Sequence, residues 1–532
     1  MAVDSNQPIQ NSENTNPPLP LSERKCFVQF DRRNTIVVPH DSEHHEHARW
    51  YPVINDPSED SLPSITRGND VQYFVDGYEA YKAFETEIGQ TCGNRDFIYL
   101  AGWWLGLDTP FPSGKTAAQL LSAAANLGVR LRLLITRWSV FPLMSKIIET
   151  VDHLNRIQPN CAILDAEHPF LGTQHQKLLI VRRQGRLTAF CGGIDINPDR
   201  MLPDATNKGP LHDTHCQING PGAHDVLTTF CERWDVQMRL LQAMLMEGRA
   251  LSGLIESPEG GLVSPDKLEP ASSVPVPAST GRMHVGAGRT FGSRAWKPDN
   301  SPEPERSVFK MLASALSAAR RFVYIEDQYL VDLKVASLLR RSLETIQHLI
   351  ILIPTDELTS DYPQISLRRR NFLEEVRSGG QGHKLHAFCL DKTAERCGLY
   401  VHSKLAIIDD DFAIVGSANF NRRGMTHDGE FVAGIFDPSV DFKLTYTYAH
   451  RLRVRLWGHH LAMEDQDGYA ELADGVASAI HWVRLPSSAR VRPYRIAQAE
   501  DVEAPWWLGP GKGIYDRGRD FLWDHALDPD GT

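Results

Sequence analysis

The chain has 532 residues, 42% of them apolar and 23% charged, with a formal net charge of −11. That length allows two core-building units, and the composition is that of a soluble globular protein rather than a collagenous or low-complexity one. The acidic balance argues against a general nucleic-acid binder, and no apolar run approaches the roughly 18 residues of a membrane span. Eight cysteines include no C-x-x-C pair, so reduced, buried thiols are expected rather than a disulfide framework.

Residues 1–24 are rich in Asn, Pro and Ser and read as a disordered tail. The tail has neither the basic segment nor the apolar core of a secretory signal, so export would need a dedicated machine. His44, His45 and His47 have no companions at metal-ligand spacing and read as a solvated loop. A first half is expected over 25–247, ordered from about Asp70. There a strand leads to a turn at Asp76-Gly77 and a helix. Residues 97–105 form a buried strand ending in Trp103 and Trp104, 115–128 a helix with a Gly stop, and 129–136 another strand. Residues 248–281 carry SPEGG, SPDKLEP and ASSVPVPAST, the composition of a linker or long surface loop. A second half over 282–465 repeats the order: helix 308–321, strand 322–330 in the pattern of 97–105, helix 335–346 and strand 348–355. Residues 442–465 read as a packed helix with Leu452 and Leu456 inward and a wet basic face. The extension 466–532, with Trp506, Trp507 and Trp523, receives no assignment. Alternating strands and helices, twice over, predict an α/β fold with helices outside a β-layer in each half.

The chemistry concentrates in Val401 to Phe431, VHSKLAIIDDDFAIVGSANFNRRGMTHDGEF. LAII reads as a short buried strand, and residues two apart on a strand share a face, so His402 and Lys404 project together. An imidazole beside a fixed ammonium is what phosphodiester chemistry requires. A lone H-x-K is ordinarily an edge strand with a satisfied histidine. Here it is joined to Asp409 with four residues between it and the Lys, to Gly416, Ser417 and Asn419 as G-S-x-N, and to Glu430. A second copy, TQHQKLLIVRRQGRLTAFCGGIDINPDR, lies 227 positions upstream, with His175, Lys177, Gly192-Gly193 and, in the place of Asn419, Asp195. Arg183 to Arg186 suggest a hairpin turn. Arg182 stands where the motif has Asp. Its odd offset from His175 turns it away from the His/Lys face, so the missing carboxylate is read as a supporting group. The competing reading is a decayed half-site that binds phosphate without cleaving it.

These residues resemble the phospholipase D superfamily, whose signature is H-x-K-x4-D followed by G-S-x-N or G-G in two facing copies. The stretches 211–235, IEDQYL (325–330), GSANFNRRG (416–424) and RLRVRLW (451–457) are similar to the branch that includes eukaryotic phospholipase D and related bacterial proteins, over roughly 70–465. The resemblance implies two pseudo-twofold-related α/β/α sandwich halves with the active site between them. It implies that His175 attacks phosphorus while His402 protonates the leaving alcohol and then activates water. Lys177, Lys404 and Asn419, with Ser417, would hold the phosphate oxygens. Asp213 would brace His402, Glu430 would brace His175, and Asp409 would complete the catalytic set. No metal or cofactor is implied, because two lysines supply the positive charge.

The implied activity is hydrolysis of the distal phosphodiester of a glycerophospholipid to phosphatidic acid and a free head group, with transfer to an alcohol as a variant. The expected partner is a phospholipid at a membrane surface, not nucleic acid, reached peripherally by a soluble chain with no transmembrane segment. The chain would be cytoplasmic or exported without a signal peptide, as a lipid-remodelling enzyme or a bacterial effector. Alternatives at this stage are a cardiolipin synthase-like phosphatidyl transferase, a nuclease of the same superfamily, and a non-catalytic phosphate-binding homologue.

Overall fold

The structure, a computed structural model, describes residues 29–30, 36–37, 50–51, 65–137, 143–165, 172–201, 210–246, 268–292, 304–359, 364–391, 400–438, 446–495 and 528. The expected tail 1–24, the cluster at His44, His45 and His47, residues 248–267 of the expected linker, and Trp506, Trp507 and Trp523 lie outside the described residues. Strands β1 (Gln29–Phe30) and β2 (Ile36–Val37) pair with each other. The chain then runs β3 (Ile65–Val75), α1 (Asp76–Gly89), β4 (Phe97–Gly102), α2 (Ala117–Asn126), β5 (Arg130–Thr136), α3 (Leu143–Ile157), β6 (Ala162–Asp165), β7 (Leu178–Arg183), β8 (Arg186–Gly192), β9 (Thr214–Asn219) and α4 (Gly222–Met246). A second series follows: β10 (Met283–Phe291), β11 (Glu305–Arg306), α5 (Ser307–Ala318), β12 (Phe322–Glu326), α6 (Leu333–Ser342), β13 (His348–Leu352), α7 (Ile365–Arg377), β14 (Leu385–Leu390), β15 (Leu405–Ile408), β16 (Phe412–Gly416), α8 (Arg422–Thr426), β17 (Glu430–Phe436) and α9 (Tyr448–Leu461). Helices α10 (Gln466–Glu471) and α11 (Ile480–Val483) and strand β18 (Val491–Pro493) close it.

The strands lie in the order β18-β14-β13-β12-β15-β16-β17-β10-β3-β9-β8-β7-β4-β5-β6, with β11 on the flank of β10. Read outward from the β3–β10 contact, β10-β17-β16-β15-β12-β13-β14 and β3-β9-β8-β7-β4-β5-β6 are the same arrangement built twice. The sequence predicts two sandwiches side by side; the structure fuses their sheets into one. The joint is β3, which pairs through residues 70–75 with β9 and through residues 65, 66 and 69 with β10. Between Thr66 and Asn69 its register with β10 shifts at Gly68, whose φ of +80° and lack of a side chain let the backbone pass Ser279; a Cβ there would lie 2.3 Å from the Ser279 hydroxyl.

Within each set the three outer strands are parallel, β4-β5-β6 and β12-β13-β14. Parallel neighbours need crossover helices, and these cover the faces, which explains why such strands read as unbroken apolar runs. On β12, Val323 and Ile325 pack with helices α5 to α7, while Phe322 and Tyr324 pack on the opposite face with Trp457 of α9 and with Trp482. Among the described residues no helix is long and apolar enough to cross a membrane.

Local chemistry explains the element ends. Helix α2 begins in a capping box, with the Thr116 hydroxyl accepting from the Gln119 amide and the Gln119 side chain accepting from the Thr116 amide. The β7–β8 turn places Gln184 and Gly185 at φ of 49° and 82°, the two left-handed residues of a tight hairpin. Asp76 departs from the expected turn: α1 starts at that residue, which itself sits at φ +66°.

The wet basic face expected on α9 holds for Arg451 and Arg455, which stay partly exposed, but not for Arg453, which is fully buried. It makes two bonds to Asp410, of 2.6 and 3.0 Å, donates to the Leu472 carbonyl, and stacks 4.7 Å over the Trp457 ring. Removing one partner of a buried ion pair strands the other's charge, so Arg453→Met is expected to destabilise the protein by about 3–5 kcal/mol. Chemical denaturation of the variant beside Asp410→Asn measures this, and a loss below about 1 kcal/mol would show the pair to be dispensable.

Candidate active site

The two H-x-K segments are each entered through a short parallel bridge to the other half. The His175 amide donates to the Gly429 carbonyl at 2.7 Å and the Gly429 amide to the Thr173 carbonyl at 2.8 Å. In the matching contact the His402 amide donates to the His212 carbonyl at 2.7 Å and the His212 amide to the Tyr400 carbonyl at 2.9 Å. These bridges bring each imidazole to a carboxylate supplied from across the junction. His175 Nδ1 lies 3.0 Å from Glu430 Oε1, and His402 Nδ1 lies 2.6 Å from Asp213 Oδ2. His175 Nδ1 also lies 3.1 Å from the carbonyl of Ser417 in the opposite glycine motif. A ring that donates from Nδ1 keeps its Nε2 free for chemistry.

The two braces are built differently. Glu430 is reached by the Ser417 hydroxyl, which donates to Oε2. The first half has Gly193 in that position, and a Cβ there would lie 2.0 Å from Asp213 Oδ1. The shorter Asp213 thus occupies the volume that the serine side chain takes in the other copy. Gly192 is similarly confined, since a Cβ would meet the ring of His215 at 2.4 Å.

The lysines sit beside their histidines and differ too. Lys177 Nζ donates to the His175 carbonyl at 2.8 Å and pairs with Asp195 at 3.1 Å, while the second Asp195 oxygen accepts from the Trp103 amide at 3.0 Å. Lys404 Nζ donates to the His402 carbonyl and to Gln328 Oε1, the latter at 3.0 Å, a neutral partner. Burial pulls Lys404 down to about 7, with Lys177 and Arg200 adding to the effect and Asp213 and Asp327 opposing it. Both imidazoles are held well below their ordinary range, first by burial and then by Lys177 and Lys404, whose charges bear on each ring. Burial also raises Asp213 and, more strongly, Glu430. A recess with unprotonated rings and closely held ammonium groups is suited to receiving an anion.

The residues brought together are therefore His175, Lys177, His402, Lys404, Asp213 and Glu430. Asn419 stands at the position matching Asp195, and its buried Oδ1 has no protein hydrogen-bond partner. Ser417 is corrected: expected on phosphate, its hydroxyl is instead turned onto Glu430. Asp409 is corrected as well. It lies at the far end of β15, roughly 16 Å along the strand from Lys404. There its carboxylate accepts from the amides of Arg320, Arg321 and Phe322 at 2.7, 2.6 and 3.0 Å, anchoring the start of β12.

The missing Asp at Arg182 has a local answer at the matching junction. Asp96, just before β4, accepts from the amides of Gln184 and Cys92, each at 2.9 Å, so the carboxylate comes from the opposite strand. Sequence reasoning placed Asp195 but gave it no role, and it missed Gln328 and Arg200. Asp195 was recoverable from its alignment with Asn419; Gln328 and Arg200 carry no spacing that links them to either lysine.

A family model described as Phospholipase D matches residues 199–359 and 376–500, more than half of the chain; the match includes His402 and Lys404 and begins beyond His175. Phospholipase D alpha 2 of Oryza sativa subsp. japonica is 26% identical over 533 residues, covering 73% of this chain and 64% of that protein. Phospholipase D beta 2 of Arabidopsis thaliana is 24% identical over 563 residues, covering 76% and 59%. The chain thus spans less than two thirds of the length of these relatives. Among solved structures, phosphatidylserine synthase of Haemophilus influenzae Rd KW20 superimposes with a TM-score of 0.53 at 11% identity, over 88% of this chain and 98% of that one, a likeness of fold.

Gly193→Ala should push Asp213 off His402 and lower turnover of a phosphodiester by about 10²-fold, with the circular dichroism spectrum unchanged; full turnover would show that the Asp213 brace is not needed. Sulfate, whose own charge is constant near neutrality, should raise the proton affinity of Lys404 when it binds. Binding then takes up a proton, and affinity falls as pH rises above about 7. Calorimetry in buffers of different ionisation enthalpy checks this, with Lys404→Arg expected to flatten the dependence.

Proposed function

Because the chain belongs to the phospholipase D family, whose members are generally phosphodiesterases and phosphotransferases, we propose that it is a phospholipase D acting on the distal phosphodiester of glycerophospholipids. The observation that carries this reading is the reciprocal pairing of His175 with Glu430 and His402 with Asp213 across the junction.

In the first step the Nε2 lone pair of His175 forms a bond to phosphorus and the bond to the head-group oxygen breaks. The departing alkoxide takes a proton from His402 Nε2. His402 must carry that proton as an imidazolium, and it gains it when the anionic substrate offsets the charges of Lys404, Arg200 and Lys177. In the second step His402 removes a proton from water. The resulting oxygen attacks phosphorus, the P–N bond breaks, and phosphatidate leaves with His175 restored. Lys177 and Lys404 hold the non-bridging oxygens as their charge grows, and the side-chain amide N–H of Asn419 donates to one of them. An alcohol in place of water would give phosphatidyl transfer from the same intermediate. The substrate is reached from a membrane surface. The net charge of −11 is unfavourable to a nuclease, which must approach a polyanion. The non-catalytic reading loses its motivation because Asp96 supplies the carboxylate that Arg182 displaces.

Purified protein is expected to release phosphatidate from mixed phospholipid vesicles, and to form a phosphatidyl alcohol when a primary alcohol is added. His175→Ala and His402→Ala should each lose at least about 10²-fold, with any acid-labile phosphate confined to proteins that retain His175. No phosphatidate from any vesicle composition would sink the reading. A large gain on Arg182→Asp over an inert wild type would favour the phosphate-binding alternative.

A further inference from the structure

Next to the two histidine pairs lies a second buried cluster that the mechanism does not use. It is formed by Asp76 and His212 of the first series and Glu326 and His460 of the second. His212 Nδ1 is 2.8 Å from Asp76 Oδ1, and its Nε2 is 3.0 Å from Glu326 Oε2. The other Glu326 oxygen accepts from the Tyr324 hydroxyl at 2.7 Å and from His460 Nε2 at 3.0 Å. His212, Glu326 and His460 have at most 1% of their surface exposed.

We propose that His212 is a positioning residue for phosphodiester cleavage: a doubly protonated imidazolium, clamped between Asp76 and Glu326, that fixes the Asp213 brace and through it the ring of His402. The insistence on a cation is geometric. Both ring nitrogens face carboxylates, which only accept, so each nitrogen must donate. The remaining neighbours do not compete for that role. Burial holds His459, stacked 6.2 Å away, below its ordinary range, and takes His460 down to about 4. Burial likewise keeps Tyr324 un-ionised, whereas Glu326 and, less strongly, Asp76 are held on the charged side by His212.

The clamp grips the backbone on both sides of Asp213. Asp76 Oδ1 also accepts from the Asp213 amide at 3.1 Å, and the Asp76 amide donates to the Asp213 carbonyl at 2.8 Å. The His212 carbonyl takes the His402 amide, as described above. Asp76 does this from φ +66°, a backbone conformation that side-chain-bearing residues rarely adopt and that persists only where surroundings enforce it. Glu326 ends β12, and two residues on Gln328 holds Lys404. One buried acid therefore registers the Lys404 contact and the His402 brace together, across the two halves. Three of these side chains lie close enough to surround a divalent ion. Against that, His460 Nδ1 is buried without a hydrogen-bond partner, whereas a metal-held imidazole donates its second N–H to an acceptor.

The protonation state is tested on the full chain, labelled with ¹⁵N-histidine, with the His212 signals assigned by their loss in His212→Asn. Both ring nitrogens should be protonated throughout about pH 6 to 8, above the ordinary histidine range at the upper end. A neutral tautomer, or stoichiometric metal in elemental analysis, overturns the proposal. The positioning role rests on the phosphodiesterase reading and is tested with Glu326→Gln on a soluble diester, bis(p-nitrophenyl) phosphate, and on lipid vesicles. The folded variant should lose about ten-fold in kcat with KM within about two-fold, and should lose the downfield Nδ1 proton of His402. Unchanged kcat and an unchanged His402 proton overturn it. If wild-type protein turns over neither substrate, the proposed activity fails, while the ring-nitrogen and His402 proton signals still decide the clamp.

Discussion

His175 and His402 are each oriented by a carboxylate that belongs to the other half of the chain, and the rest of the site depends on that exchange. Neither motif histidine finds its carboxylate within its own half: His175 needs Glu430, and His402 needs Asp213. The main-chain bridges at Gly429 and His212 lie within one residue of those carboxylates, so the hydrogen bonds that dock the halves also aim the rings. Buried carboxylates and imidazoles are tolerable only when paired. Separating the halves would strand all four groups, so assembly and site formation are one event.

The doubling is approximate, and its departures follow the chemistry. In the proposed mechanism one imidazole attacks and the other passes a proton, and two identical half-sites would be ill matched to that division. The His175 side has a lysine already paired with Asp195 and a longer brace steadied by Ser417. The His402 side has Lys404 on a neutral amide, pulled toward neutrality by burial, and a short brace fitted against Gly193. The second side is thus the one whose charge responds most to an arriving anion.

The support behind the site is a set of buried carboxylates at strand ends. Asp409 and Asp96 each tie the same junction in their own half, from opposite strands, by accepting backbone amides. Asp410 holds Arg453 of α9 beneath the sheet, and Asp327 takes the amides of Tyr329, Leu330 and Phe420 behind the glycine motif. Charged groups facing inward from a fused sheet let the loops at one edge stay rigid without long apolar anchors.

The sequence by itself determined the repeat, the strand–helix alternation and both H-x-K pairs, because periodicity and motif spacing are local properties of the chain, while the two bracing acids were named by the resemblance to the phospholipase D superfamily. What only the tertiary structure decided were contacts between side chains brought together from different elements of the chain. These include the Ser417 hydroxyl choosing Glu430 over the recess, Asp409 lying at the wrong end of its strand to reach it, and Asp96 replacing a motif residue from a neighbouring strand. The buried Arg453 and the Asp76–His212–Glu326–His460 chain belong to the same class. A side chain's partner is set by which strands adjoin and which volume is left empty, and neither is written in spacing along one strand.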